Sequence, residues 1–372
     1  MNRVYADYNS TTPLCDDVIN HIETFKSHLG NMDSGHYFGQ KMHQIYDEVS
    51  DKIKIMLGAS GYDLFTCSSA TEANHWFFQS LVDSISHRKR VIISSIEHSC
   101  VMKPLQLFDQ QGIIDLQICR VNQNGYIDLD HFKSLLSTDT YFVSIGLANN
   151  ELGTIQPLAE ICELAKSVGA ITHSDIVQAV GKIPLNLDQL ALDAASMSAH
   201  KCYAPTGCGV LLVNNSDLLR PIFFGGAQQQ QLRAGTVNVF GLSLFLKGLE
   251  YCYRNMIDPI NIAAWVKEFR HESENFYVLS SPDQPNTLWN TVSLAILNKD
   301  AHDVMMALDM HHIAVSTGSA CSTGATEPSE SVIALNLPDH ITDGVIRISF
   351  GYPTTSDQLL YVKEKIFQLF SA

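Results

Sequence analysis

Basic residues are scarce in this 372-residue chain: 24 lysines and arginines stand against 39 aspartates and glutamates, a formal net charge of −15. A protein that grips a polyanion concentrates cations where the phosphates lie, so direct nucleic-acid binding is disfavoured. Long apolar runs are missing as well. No stretch approaches the roughly 18–20 uncharged residues that span a bilayer. The opening Met1-Asn2-Arg3-Val4-Tyr5-Ala6-Asp7 shows no basic segment followed by an apolar one, so neither a secretory signal nor a membrane partner is expected. The nine cysteines are odd in number and no two form a Cys-x-x-Cys pair, the spacing of zinc and redox sites. Reduced thiols in a cytoplasmic protein without a metal site are the expectation. Internal repeats and Pro/Ser-rich linkers are absent, and the one low-complexity feature is the run of glutamines at 228–231. Apolar mass is plentiful: 45% hydrophobic against 17% charged residues excludes a disordered chain.

Short β-branched or apolar segments at 64–66, 91–95, 141–147, 170–175, 194–199 and 209–213 alternate with helix-compatible segments at 73–86, 99–111, 128–136 and 158–168, the last closing on Gly169. Such alternation predicts an α/β fold with a mostly parallel, doubly wound sheet whose ligands collect at the carboxyl ends of the strands. Past about 249 the rhythm changes to a long polar helical stretch reaching 274, then segments at 288–297 and 345–350 with a helix near 302–311 between them. A smaller α+β domain is expected there. The division drawn is 13–250 for the large domain and 1–12 with 251–372 for the small one, against the alternative of one continuous domain.

Four segments carry candidate chemistry. His173-Ser174-Asp175-Ile176-Val177-Gln178 and Ser196-Met197-Ser198-Ala199-His200-Lys201 both fall where predicted strands end. Singly, Asp175 is a turn residue and Lys201 a solvated cation. Together, a carboxylate able to keep a ring nitrogen protonated and a lysine able to form an imine are the pair that pyridoxal phosphate needs. Ser68-Ser69-Ala70-Thr71-Glu72 precedes a helix, where unpaired N–H groups suit a phosphate, although Ser69 or Thr71 could equally be an ordinary N-cap. His98 follows a strand and could stack on a cofactor ring and move protons. The fourth segment, Ser316-Thr317-Gly318-Ser319-Ala320-Cys321-Ser322-Thr323-Gly324, sets one cysteine among small residues, as an exposed thiol would be. The other eight cysteines read as small buried hydrophobes.

In their order along the chain these segments resemble the cysteine desulfurases, pyridoxal phosphate-dependent enzymes of the class V aminotransferase type. The resemblance runs from Asp7 to about Asp357. Its motifs include Asp7-Tyr8-Asn9-Ser10-Thr11-Thr12-Pro13, Gly30-Asn31-Met32-Asp33-Ser34-Gly35-His36, Asn149-Asn150-Glu151-Leu152-Gly153, Arg233-Ala234-Gly235-Thr236 and Arg347-Ile348-Ser349. It implies a seven-stranded central sheet and a homodimer. Lys201 would bond the cofactor, Asp175 pair with its ring nitrogen, Gln178 with its ring oxygen, and His98 stack on the ring. Ala70, Thr71, Ser198 and His200 would line the phosphate, with Thr236 reaching it from the partner subunit. Asn149 and Arg347 would orient the substrate, and Cys321 would take its sulfur as a persulfide and pass it to a protein acceptor. L-cysteine would leave as L-alanine, with Lys201 and His98 carrying protons.

The chain also departs from that pattern. Ser69 stands where relatives have glycine, Met32 where proline is common, and Tyr352 where many have arginine, while residues 228–231 replace a charged residue and a glycine. An aminotransferase of the same fold, a selenocysteine lyase, and a degenerate sulfur-relay or regulatory subunit are the rival readings.

Overall fold

The computed structural model describes residues 3–85, 87–257, 259–271, 274–317 and 328–371. Its strands are β1 (Val4–Tyr5), β2 (Asp63–Cys67), β3 (Arg90–Ser94), β4 (Asp115–Cys119), β5 (Thr140–Ser144), β6 (Ile171–Asp175), β7 (Ala194–Ser198), β8 (Gly209–Val213), β9 (Phe276–Ser280), β10 (Thr291–Ile296), β11 (Ile313–Ala314) and β12 (Val345–Ser349). Seven form the central sheet in the order β2-β8-β7-β6-β5-β3-β4, parallel from β7 to β4, with β8 antiparallel to both its neighbours. The inner strands β7 and β8 are buried at every position, as strands covered on both faces must be. The chain goes from β3 outward to β4, then returns to the other side of β3 with β5. That reversal opens a crevice at the carboxyl ends of β3 and β5.

Helices flank this sheet. Ala70–Val82 starts at Ser69, whose hydroxyl accepts from the Glu72 amide, while Glu72 in turn accepts from the Ser68 amide and pairs with Arg233 at 2.9 Å. Its start is pressed against Gly209, where a Cβ would meet the Ser69 carbonyl carbon at 2.3 Å. Only glycine permits that approach, and it fixes the helix N-terminus beside the end of the sheet. The edge strand β4 and the helices Asp16–Phe25 and Tyr37–Leu57 lie outside the segments expected from the sequence. The stretch expected as one polar helix beyond 249 is instead two. Val239–Asn255 is largely buried against Asp16–Phe25 and Tyr37–Leu57, and Ile262–His271 follows after a break.

A second sheet, β12-β10-β9, is antiparallel and covers its own core of Trp265, Phe269, Val292, Leu294, Ile346 and Val362, closed by the helix Ser356–Phe370. The N-terminal β1 pairs in parallel with β11, so the start of the chain packs with this second core. No described helix is long and apolar enough to cross a membrane.

The glutamine run forms a left-handed turn: Gln229, Gln230 and Gln231 have φ of 47°, 60° and 64°. The Gln229 carboxamide compensates by pairing with the backbone N–H and C=O of Thr66 on the edge strand β2. Gln231 is exposed and holds the strained conformation without such a contact among those described. Left-handed backbone costs a non-glycine residue roughly 1–2 kcal/mol, partly offset in a glycine variant by its freer unfolded chain. Gln231→Gly is therefore expected to stabilise the protein by about 0.5–1 kcal/mol, seen as a higher urea midpoint at unchanged m-value.

Candidate active site

Asp175 ends β6 and Ser198 ends β7, and because these strands are parallel both ends reach the same edge of the sheet. The chain turns immediately after Ser198 through the short 3₁₀ turn Ala199–Lys201, which brings Lys201 back over that edge. There Lys201 Nζ donates to the carbonyl oxygens of Asn9 and Ser10, both at 2.5 Å. Asp175 is held by the Val177 amide at 3.0 Å and the Asn74 carboxamide at 2.9 Å. Both groups line one cavity of about 390 Å³, a volume suited to a small cofactor with its substrate.

The same cavity receives Ser69, Ala70 and Thr71 from the N-terminus of the helix Ala70–Val82, together with Ser198 and His200. That is an anion-binding end: a helix N-terminus plus hydroxyls. The Ser69 hydroxyl serves as the helix N-cap, so the serine in place of glycine has a structural partner of its own. Burial first, and the Lys201 charge second, pull His200 down to about 4, so at neutral pH it is an uncharged hydrogen-bonding group.

His98 is the N-cap of the helix Ser99–Gln110, its Nδ1 accepting from the Cys100 amide at 3.1 Å. That bond leaves the neutral ring's proton on Nε2. Burial lowers the His98 pKa, opposed by Asp175, so the ring is neutral at pH 7. Its neighbour Glu97 accepts from the Gly146 amide, and burial, reinforced by the nearby Asp175 charge, pushes its carboxyl up to about 8. Glu97 is thus a neutral acid at pH 7.

Arg347, on β12, reaches the cavity from the second sheet. Its Nη2 pairs with Asp7 and with Ser10 Oγ, each at 2.7 Å, and its buried Nε has no partner among the described residues. A guanidinium with a donor to spare beside a cavity is equipped to take a carboxylate. Asn149 also lines the cavity, but its amide is spent on Ile96, Ser331, Glu151 and Leu152, where it ties down the turn after β5.

The structure therefore brings together Ala70, Thr71, His98, Asn149, Asp175, Gln178, Ser198, His200, Lys201 and Arg347. Thr236 lies elsewhere, exposed beyond Arg233. Cys321 lies outside the described residues. Sequence reasoning overlooked Asn74, Cys100, Asn9 and Lys182. The first shares a helix face with Ala70 at i+4, and Lys182 stands four residues after Gln178, so helical spacing was the available signal for both. Tyr352, in the position where an arginine was noted, donates to the Gly181 carbonyl at 2.6 Å and stacks on Trp289 at 4.9 Å.

Pyridoxal phosphate fits this donor set: an anion-binding helix end, a carboxylate held by two donors, an amine, and a buried arginine with an unpaired N–H. The family pattern described as aminotransferase class-V matches residues 4–362, and the chain belongs to that family. Within it the chain groups with the cysteine desulfurases, a pyridoxal phosphate-dependent branch. It is 34% identical over 375 residues to the cysteine desulfurase IscS of Dictyoglomus turgidum, covering 98% of this chain and 94% of that one. Among solved structures it is similar to a NifS-like protein at 29% identity, with a TM-score of 0.90 and 99% of each chain covered. It is also similar to SspA in complex with cysteine at 25% identity, with a TM-score of 0.80 over 93% of this chain and 98% of that one.

Proposed function

We propose that this chain binds pyridoxal phosphate in the cavity and converts L-cysteine to L-alanine, transferring the sulfur first to Cys321 and then to a protein acceptor. The observation that carries the reading is the convergence on one cavity of Asp175 from the end of β6, Lys201 from the turn after β7 and Arg347 from β12. Kinship with cysteine desulfurases and with a structure solved in complex with cysteine supports cysteine as the substrate.

When bound, the cofactor supplies an electron-poor ring that eases loss of a proton from the substrate α-carbon. Asp175 would hold the ring nitrogen and Gln178 the ring oxygen, while Ala70, Thr71, Ser198 and His200 would receive the phosphate. Arg347 takes the substrate carboxylate, exchanging Asp7 and Ser10 for it. Lys201 would hold the cofactor, and its amine is the group that would take the substrate α-proton. His98, whose Nδ1 is held by the Cys100 amide, would present its Nε2 to the cavity for proton traffic. Cys321 as thiolate attacks the substrate sulfur. The carbon–sulfur bond breaks as the sulfur–sulfur bond forms, and the electron pair left on the substrate carbon is protonated to give alanine. Asn149 acts through the turn it secures.

The domain division 13–250 and 1–12 with 251–372 is proposed on the two separate cores, with the cavity lined from both sides. A cytoplasmic homodimer is likewise proposed, in which Thr236 completes the phosphate site of the partner subunit.

The testing experiment is an absorption spectrum of the purified protein with pyridoxal phosphate, before and after L-cysteine. A visible band that changes on adding cysteine, with alanine formed, is the expected result, and a colourless protein overturns the reading. Asp175→Asn keeps the contacts' shape but removes the anion. Loss of one such preorganised charge costs on the order of 10²–10³ in rate, read as alanine formed per minute at saturating cysteine.

A further inference from the structure

Lys182 is buried behind the cavity and has no place in the mechanism above. It lies one helical turn beyond Gln178 in the coil after β6, so the two side chains run side by side. Lys182 Nζ donates to Gln178 Oε1 at 2.5 Å and to Asn9 Oδ1 at 2.8 Å. The rest of the Asn9 side chain is committed as well: its Nδ2 donates to Thr291 Oγ1 and to the Asn150 carbonyl.

These bonds settle which way the Gln178 carboxamide faces. An ammonium is a donor only, so the atom of Gln178 that meets Lys182 must be the carbonyl oxygen. The reversed amide would place its NH₂ against the ammonium. Nε2 therefore points the other way, where it spends one N–H on the Asn9 carbonyl at 3.0 Å and has a second for a group in the cavity that Gln178 lines. That same Asn9 carbonyl receives Lys201 Nζ. Asn9 is thus wedged between the two lysines, taking one on its backbone oxygen and the other on its side-chain oxygen.

We propose that Lys182 is a positioning residue of the active site: it locks the Gln178 carboxamide with Nε2 presented to the ring oxygen of the bound cofactor. The proposal rests on the reading that pyridoxal phosphate occupies the cavity. Burial first, and the positive charge of Lys201 second, pull Lys182 down to about 7. The ammonium form holds the lock, because it can only donate, whereas the neutral amine has a lone pair that would also accept from a reversed carboxamide.

The test is a double-mutant cycle read as cofactor affinity. Full-length wild type, Lys182→Met, Gln178→Ala and the double variant are stripped of cofactor and titrated with pyridoxal phosphate, following the visible band. Removing one hydrogen bond to a charged partner in a buried site is expected to weaken binding about tenfold in Lys182→Met. If Lys182 acts through Gln178, the double variant binds no more weakly than Gln178→Ala alone. Losses that multiply to about 100-fold, or a Lys182→Met chain that binds as wild type, would overturn the proposal. A thermal melt without cofactor reports whether the variants fold. Should Lys182→Met not fold, Lys182→Leu, which likewise has no donor, carries the same cycle. A wild-type chain that develops no band overturns the cofactor reading itself and is told apart because it needs no variant.

Discussion

Lys201→Ala is expected to abolish cysteine turnover, with alanine formation falling at least about 10³-fold, within the range that loss of a positioned general base produces and beyond it where the same group also binds the cofactor. The geometry explains why no other group stands in. Lys201 is delivered to the cavity by a three-residue turn directly after β7, and its Nζ is aimed by two backbone carbonyls. A second buried amine, Lys182, is pinned on Gln178 and Asn9 and does not line the cavity. Borohydride reduction followed by peptide mapping checks the same residue independently of turnover. Cofactor should be retained covalently on Lys201 in the wild type and on no peptide in the variant. A Lys201→Ala protein that makes alanine at a tenth of the wild-type rate would remove Lys201 from the mechanism.

The residues that carry this argument were legible because their positions follow from local pattern. Asp175, Ser198 and Lys201 stand at the ends of apolar segments, and parallel strands necessarily bring their carboxyl ends to one edge. The helix N-terminus at Ala70 was legible from its small, hydroxylated lead-in. What the pattern concealed is set by tertiary contact. Asn74 reads as one more polar residue in a helix, and only the packing of that helix on the sheet brings its amide to Asp175. Lys182 reads as a surface cation, since a buried lysine is rare and nothing nearby in sequence announces Asn9, 173 positions away, as its partner. The helix Val239–Asn255 misled for the opposite reason. Past 249 its Glu250, Tyr251, Tyr253 and Arg254 look polar, yet the helix starts earlier, at Val239, and most of it is buried against Asp16–Phe25 and Tyr37–Leu57.

Cys321→Ala is expected to keep the visible band of the cofactor and to lose persulfide formation altogether, whereas Cys100→Ala is expected to keep both. The contrast follows from what the other thiols are doing. All eight cysteines outside the 318–327 segment are buried. Of these only Cys100 lines the cavity. Its Sγ lies 2.9 Å from His98 Nδ1 and 3.7 Å from Asp175, and burial, followed by the Asp175 charge, pushes its pKa upward. A thiol held neutral beside a carboxylate is a poor nucleophile, because only the thiolate attacks sulfur. Sulfur transfer also requires the acceptor thiol to be met afterwards by another protein, which a buried side chain at the cavity wall cannot do. Cys321, placed among glycine and serine, is the cysteine whose sequence surroundings suit that traffic. The flanks of its segment are tied to the site: Ser316 pairs with the Arg347 backbone, and the Ser329 hydroxyl donates to Glu151. Mass spectrometry of the protein after a brief exposure to L-cysteine reads the outcome as a gain of one sulfur on the peptide that holds Cys321. An aminotransferase would show no such gain in the wild type. A Cys321→Ala chain that still gains sulfur, on Cys100 or on any other peptide, would move the acceptor role away from Cys321 while leaving the roles of Lys201 and Asp175 intact.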